Sequence, residues 1–176
     1  MPPAPTLQGD NGIVLSALHQ SDLGSLHELY AANESSLNIP SPYTAADAKA
    51  TLDSASSEGT YFWAIRSDNK LVGTVALRFT PGAITADLGG IVLASTHRGT
   101  GLATAAARLA LAHAWDVGFD AVEWECLADN RHSVALAQRL GFGFYREGVS
   151  SSSLERYRGV PAVWGVLRRP SGSGER

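Results

Sequence analysis

The sequence predicts an α/β protein in which a mixed, mostly antiparallel sheet is covered by helices. Two observations carry that expectation. The runs Tyr61 to Arg66 and Leu71 to Thr80 flank the turn Ser67-Asp68-Asn69-Lys70 as the strands of a hairpin do. The runs Ile84 to Leu93 and Ala121 to Leu127 bracket an alanine-rich helical stretch, which makes them a parallel pair joined by a helical crossover.

The elements follow in order. Residues 1–10, proline-rich, and residues 170–176, small and charged, are expected to be flexible ends around a single domain over 11–169. Ile13-Val14-Leu15 starts a strand. Asp22 is placed to cap a helix carrying Leu23, Leu26, Leu29 and Tyr30. Asn33 to Tyr43, with Pro40 and Pro42, reads as a loop, and a helix follows from Thr44 or Ala45 to Ser56. After the hairpin, Gly89-Gly90 inside the fourth strand predicts a bulge. Leu102, Ala105, Ala106, Leu109 and Ala112 recur at helical spacing over 101–117, with Gly118 as a stop. A strand over 121–127 leads to a short helix over 131–140, ended by Gly141, and then to two closing strands over 142–148 and 160–167.

Bulk properties exclude several classes. A net charge of −3 offers no electrostatic footprint for nucleic acid. The sole cysteine, Cys126, has no disulfide partner in the chain, and no apolar run is long enough to cross a bilayer. Met1 to Asn11 lacks the apolar core of a signal peptide, so a cytoplasmic protein is expected. A homodimer stays open.

The most informative segment is Arg98-Gly99-Thr100-Gly101-Leu102-Ala103-Thr104, between the fourth strand and the long helix. A glycine turn at a helix start offers unpaired N–H groups and the positive end of the helix dipole, which suits a phosphate or diphosphate. A Rossmann loop needs a third glycine where Thr104 stands, and a Walker A loop needs a lysine that is missing here. What remains is Arg-x-x-Gly-x-Ala at Arg98, Gly101 and Ala103. Two glycines before a helix also serve as ordinary turn residues.

A second landmark stands downstream: Asn130-Arg-His-Ser-Val-Ala-Leu-Ala-Gln-Arg-Leu-Gly-Phe142. The two segments, in this order and separation, resemble the GNAT superfamily of acyl-CoA N-acyltransferases, and most nearly its ribosomal-protein N-terminal acetyltransferase branch. The resemblance is close over residues 86–148 and looser over 13–167. It implies a sheet of about six or seven strands with splayed central strands, and about four helices. It further implies acetyl-CoA as cosubstrate, with no metal. Ile91, Val92 and Leu93 would pair with the pantetheine arm, and Gly99, Thr100, Gly101, Leu102, Ala103 and Thr104 would wrap the pyrophosphate, with Arg98 beside it. Asn130 would touch the cofactor arm, although Asp129-Asn130 before a helix is also an N-cap pattern.

Catalysis is harder to assign. Many relatives carry a tyrosine seven residues after the asparagine as general acid, whereas Ala137 stands here. Ser133 takes the place used in the nearer branch and could protonate the thiolate, or could simply bond the first helical turn. Glu125 and Glu155 match positions proposed as base in different relatives, and a water chain is a third route. A free α-amine titrates at about 7.7–8.0, whereas a lysine amine near 10.4 costs roughly 4 kcal/mol to deprotonate near pH 7.4. A site without a strong base therefore suits a protein or peptide N-terminal α-amine. A small-molecule amine or antibiotic, another donor such as succinyl-CoA, a noncatalytic acyl-CoA sensor and a nucleotide site are the competing expectations.

Overall fold

The computed structural model describes residues 4–34, 39–152 and 154–171. Among these lie eight strands and four α-helices. In chain order they are β1 (Leu7–Gln8), β2 (Val14–Ala17), α1 (Leu23–Ala31), α2 (Ala45–Ser54), β3 (Thr60–Ser67), β4 (Lys70–Arg78), β5 (Thr85–Leu93), α3 (Leu102–Asp116), β6 (Ala121–Leu127), α4 (Arg131–Leu140), β7 (Gly143–Val149) and β8 (Pro161–Arg168). The strands form one sheet in the order β1-β2-β3-β4-β5-β6-β8-β7. Every neighbouring pair is antiparallel except β5 and β6, which α3 joins as a parallel crossover.

Local chemistry explains most boundaries. Asp68 and Asn69 both take positive φ, as the twist of a tight hairpin requires. Thr44 and Asp47 cap α2 reciprocally, with Asp47 N–H donating to Thr44 Oγ1 at 3.2 Å and Thr44 N–H to Asp47 Oδ2 at 2.8 Å. Gly141, in the left-handed region, ends α4.

Two expectations change. The sheet has eight strands because Leu7 and Gln8, inside the supposedly loose start, pair with Leu15 and Val14. Pro5 carbonyl also accepts from Trp63 Nε1 at 2.8 Å, and Ala4 is buried. A backbone edge needs no special composition to recruit a strand, so this pairing leaves no sequence signal. Asp22 does not cap α1; its carboxylate takes Arg66 Nη1 at 3.0 Å and Nη2 at 2.8 Å, and His19 N–H at 2.8 Å. A nearly buried aspartate gains more from a bidentate guanidinium than from one helix N–H.

The sheet has two unlike faces. On one, Val75, Leu77, Leu88 and Val122 pack against Ala106, Ala110 and Ala114 of α3 and Leu136 and Ala137 of α4. On the other, Phe62, Ala76 and Val92 meet Leu26 and Leu29 of α1 and Ala48 and Leu52 of α2. No residue of β6, β7 or β8 joins this second cluster among the described residues, so α1 and α2 cover only half of their face. No described helix is long and apolar enough to cross a membrane.

Candidate active site

β5 and β6 pair only at Thr85↔Ala121, Ala86↔Val122 and Asp87↔Glu123. Beyond that point β5 stays with β4 as far as Leu93, and β6 stays with β8 as far as Leu127. The strands therefore part in a V. A cleft of about 1300 Å³ occupies it and runs past the start of α3 and the first turn of α4.

The β5 wall is main chain. Gly89 faces Ala76 and Val92 faces Thr74, so Gly90 and Ile91 together oppose Val75 as a bulge. Gly90 sits at φ 60°, and a Cβ there would come within 3.2 Å of Ala76 Cβ. Past the bulge, Val92 carbonyl lies against Gly73, and Ala94 N–H donates to Val72 carbonyl at 2.9 Å. By strand alternation the main-chain groups of Val92 and Ala94 thus belong to β4, and those of Ile91 and Leu93 face the gap. The side chains alternate too, with Val92 in the α1–α2 cluster and Leu93 in the α3–α4 cluster.

At the end of β5 the chain turns through Gly99 (φ 75°) and Gly101 (φ 84°) into α3. The N–H groups of residues 99–104 have no hydrogen-bond acceptor among the described residues. Nothing lies within 4 Å of a Cβ built at Gly99 or Gly101, so the turn opens outward. This row of free donors at a helix N-terminus suits an anion. Thr100 is the one residue of 98–104 that does not line the cleft; its hydroxyl donates to His97 carbonyl at 2.8 Å. Arg98 lines it but turns its guanidinium to Asn33 Oδ1, just after α1.

On the β6 side, Asn130 Oδ1 accepts from Ser133 N–H at 3.1 Å and caps α4, a contact typically worth about 1 kcal/mol. Both residues also line the cleft. The Ser133 hydroxyl lies at the Cys126 thiol, which burial pushes up and this hydroxyl partly restores. Glu125 lines the cleft as well, its carboxylate held by Ser151 N–H at 2.8 Å and by the Ser151 hydroxyl. Glu155 does not. It sits in the short 3-10 turn Glu155–Tyr157, 89% exposed and 3.9 Å from Arg158, outside the cleft wall.

Asp87, absent from the sequence-based candidates, stands where β5 and β6 part. Burial pushes its carboxyl up to about 6, Arg78 at 3.8 Å opposes this, and Glu125 and Glu123 add to it. Its side chain is still 46% exposed to the cleft, so water moderates the shift. The available signal was a charge inside the apolar run Ile84 to Leu93. Ser151 gave no signal. The loop Asn33 to Tyr43 includes residues 35–38, and the segment Ser150 to Tyr157 includes residue 153; these lie outside the described residues. Their described parts are clasped together by Arg156, which donates to Glu34 carbonyl at 3.0 Å and to Ile39 carbonyl.

A family model described as an acetyltransferase (GNAT) domain matches residues 13–143. The chain belongs to the GNAT family. It is an N-acetyltransferase by that membership. Solved GNAT-type structures share its fold. A GCN5-related N-acetyltransferase from Brucella melitensis is 25% identical with a TM-score of 0.78, over 95% of this chain and 80% of that one. RimL, a ribosomal-protein α-N-acetyltransferase solved with coenzyme A, is 17% identical with a TM-score of 0.82, over 93% and 98%. The microcin C7 self-immunity acetyltransferase MccE, solved with acetyl-CoA and AMP, is 19% identical with a TM-score of 0.76, over 91% and 94%. Among curated proteins no sequence match was found.

Proposed function

We propose that this GNAT enzyme transfers acetyl from acetyl-CoA directly to a primary amine in a ternary complex, with a protein or peptide N-terminal α-amine as acceptor. The observation that carries the proposal is the row of free N–H groups at 99–104 meeting the parted strands β5 and β6. The first holds a diphosphate. The second leaves β5 main chain free to pair with an extended amide-bearing arm. The RimL and MccE structures, solved with CoA and acetyl-CoA respectively, have this fold.

The residues divide the work. Main-chain donors on β5 polarise the thioester carbonyl and steady the negative charge that grows on its oxygen. Ser133, at the first turn of α4, donates to the departing sulfur. On the sheet face left bare by α1 and α2, Asp87, Glu123 and Glu125 draw in a cationic amine. Glu125 takes its proton, directly or through water, since Glu155 lies outside the cleft.

An amine panel tests this. Peptides with free and blocked N-termini, small amines and aminoacyl conjugates are incubated with acetyl-CoA, and thiol release is followed alongside product mass. Thiol release that requires a free peptide α-amine is expected. Acylation of small amines alone would move the acceptor class to small-molecule amines. Tight CoA binding with no amine acylated would make the chain a sensor, and protection by ATP or NAD but not CoA would remove the diphosphate-arm assignment.

A further inference from the structure

A hydroxyl relay lies beneath the bulge. Thr74 is fully buried in the middle of β4, where a polar atom must find a partner. Its Oγ1 donates to Gly90 carbonyl at 2.8 Å. A carbonyl only accepts, so the single Thr74 hydroxyl proton is committed there. Tyr30 OH, 3.1 Å from the same Oγ1, is therefore the donor of the second bond. The relay runs one way, from Tyr30 in α1 to Thr74 in β4 to Gly90 in β5. Burial pushes the Tyr30 phenol up to about 12, so its proton stays in place through the neutral range.

The Gly90 carbonyl lies in the bulge, and there the Thr74 hydroxyl gives it a buried donor from across the β4–β5 pair. The extra residue also sets the phase of all that follows. Strand main chain alternates with period two, so without the bulge the groups of Ile91 and Leu93 would exchange sides with that of Val92. We infer that Thr74 and Tyr30 are positioning residues, whose buried hydroxyl relay holds the Gly90 bulge and so aims the main-chain donors of Ile91 and Leu93 at the donor thioester. The inference rests on acetyl-CoA being the ligand of this cleft.

Carbonyl-13C-labelled acetyl-CoA, bound to the purified protein and read by infrared difference spectroscopy, tests it without an identified acceptor. In the wild type the thioester carbonyl band lies below that of free acetyl-CoA. In Thr74→Val the band returns toward the free position while the protein still binds acetyl-CoA. Thr74→Ser restores the shift, and Tyr30→Phe gives an intermediate band. With the best amine of the panel, kcat falls about tenfold in Thr74→Val, less than the roughly 10²–10³ seen when an oxyanion donor is lost outright. A wild-type band in a folded Thr74→Val protein overturns the relay. Should that variant fail to fold, a band at the wild-type position in Tyr30→Phe overturns it equally. Failure of the wild type to bind acetyl-CoA overturns the ligand assignment and the relay together.

Discussion

Along β5 and the turn into α3 the cleft presents main chain; along β6 and the segment after β7 it presents side chains. The first wall asks little of residue identity: glycine where φ is positive at 90, 99 and 101, and apolar residues to bury the strand. The second depends on Glu125, Ser133 and Ser151, with Asp87 across the fork, brought together from separate elements. Under the proposed function, the wall of N–H groups meets what every acyl-CoA shares, its diphosphate and amides, and the wall of carboxylates and hydroxyls meets what differs between acceptors. On that proposal the donor end is general and the acceptor end particular.

The sharpest way to break this contrast is Gly101→Glu. Two unit charges about 4 Å apart repel by roughly 4 kcal/mol at an effective dielectric of about 20, so CoA affinity should fall by about 10²–10³. Calorimetry on a variant with native circular dichroism measures it, and native affinity would end the anion assignment of the turn. Next in size is Ser133→Ala. Its kcat should drop about 10²-fold with CoA affinity unchanged; a parallel loss of CoA affinity would make the residue structural.

A smaller effect sharpens the acceptor wall. Asp87 becomes neutral as pH falls through about 6, so acceptor KM should rise on the acid side. Asp87→Asn should show the raised KM, by several-fold, at every pH and lose that limb. The linkage has the opposite sign to a salt-bridged aspartate. The folded state holds this proton more tightly than the unfolded chain, so the residue destabilises at neutral pH and less so toward pH 4. Thermal melts should show Asp87→Asn more stable than wild type at pH 7.5, with the gap closing near pH 4. The smallest effect is expected of Glu155→Gln, with kcat and KM within about twofold of wild type. A large loss there would extend the acceptor wall to the turn before β8.

Helix and strand positions were readable wherever one segment carried its own signal. The hairpin turn at Asp68-Asn69, the alanine-rich α3, the Gly141 stop and the Gly90 bulge all follow from short-range backbone preferences. So does the glycine turn, whose N–H groups at 99–104 have no acceptor among the described residues because they lead into a helix. Leu7–Gln8 joined the sheet without a signal, since edge pairing uses groups that all residues have. Asp22 left its cap because Arg66, 44 positions away, offered a better partner.

The chain order alone determined the α/β architecture, the parallel crossover and the glycine turn before α3, because each is a property of neighbours along the backbone. Tertiary structure decided where β5 and β6 part, that Asp87 stands at the fork, that Ser151 meets Glu125 and that Glu155 stays outside. Those outcomes depend on contacts between segments far apart in sequence, where burial and partner geometry outweigh any local preference.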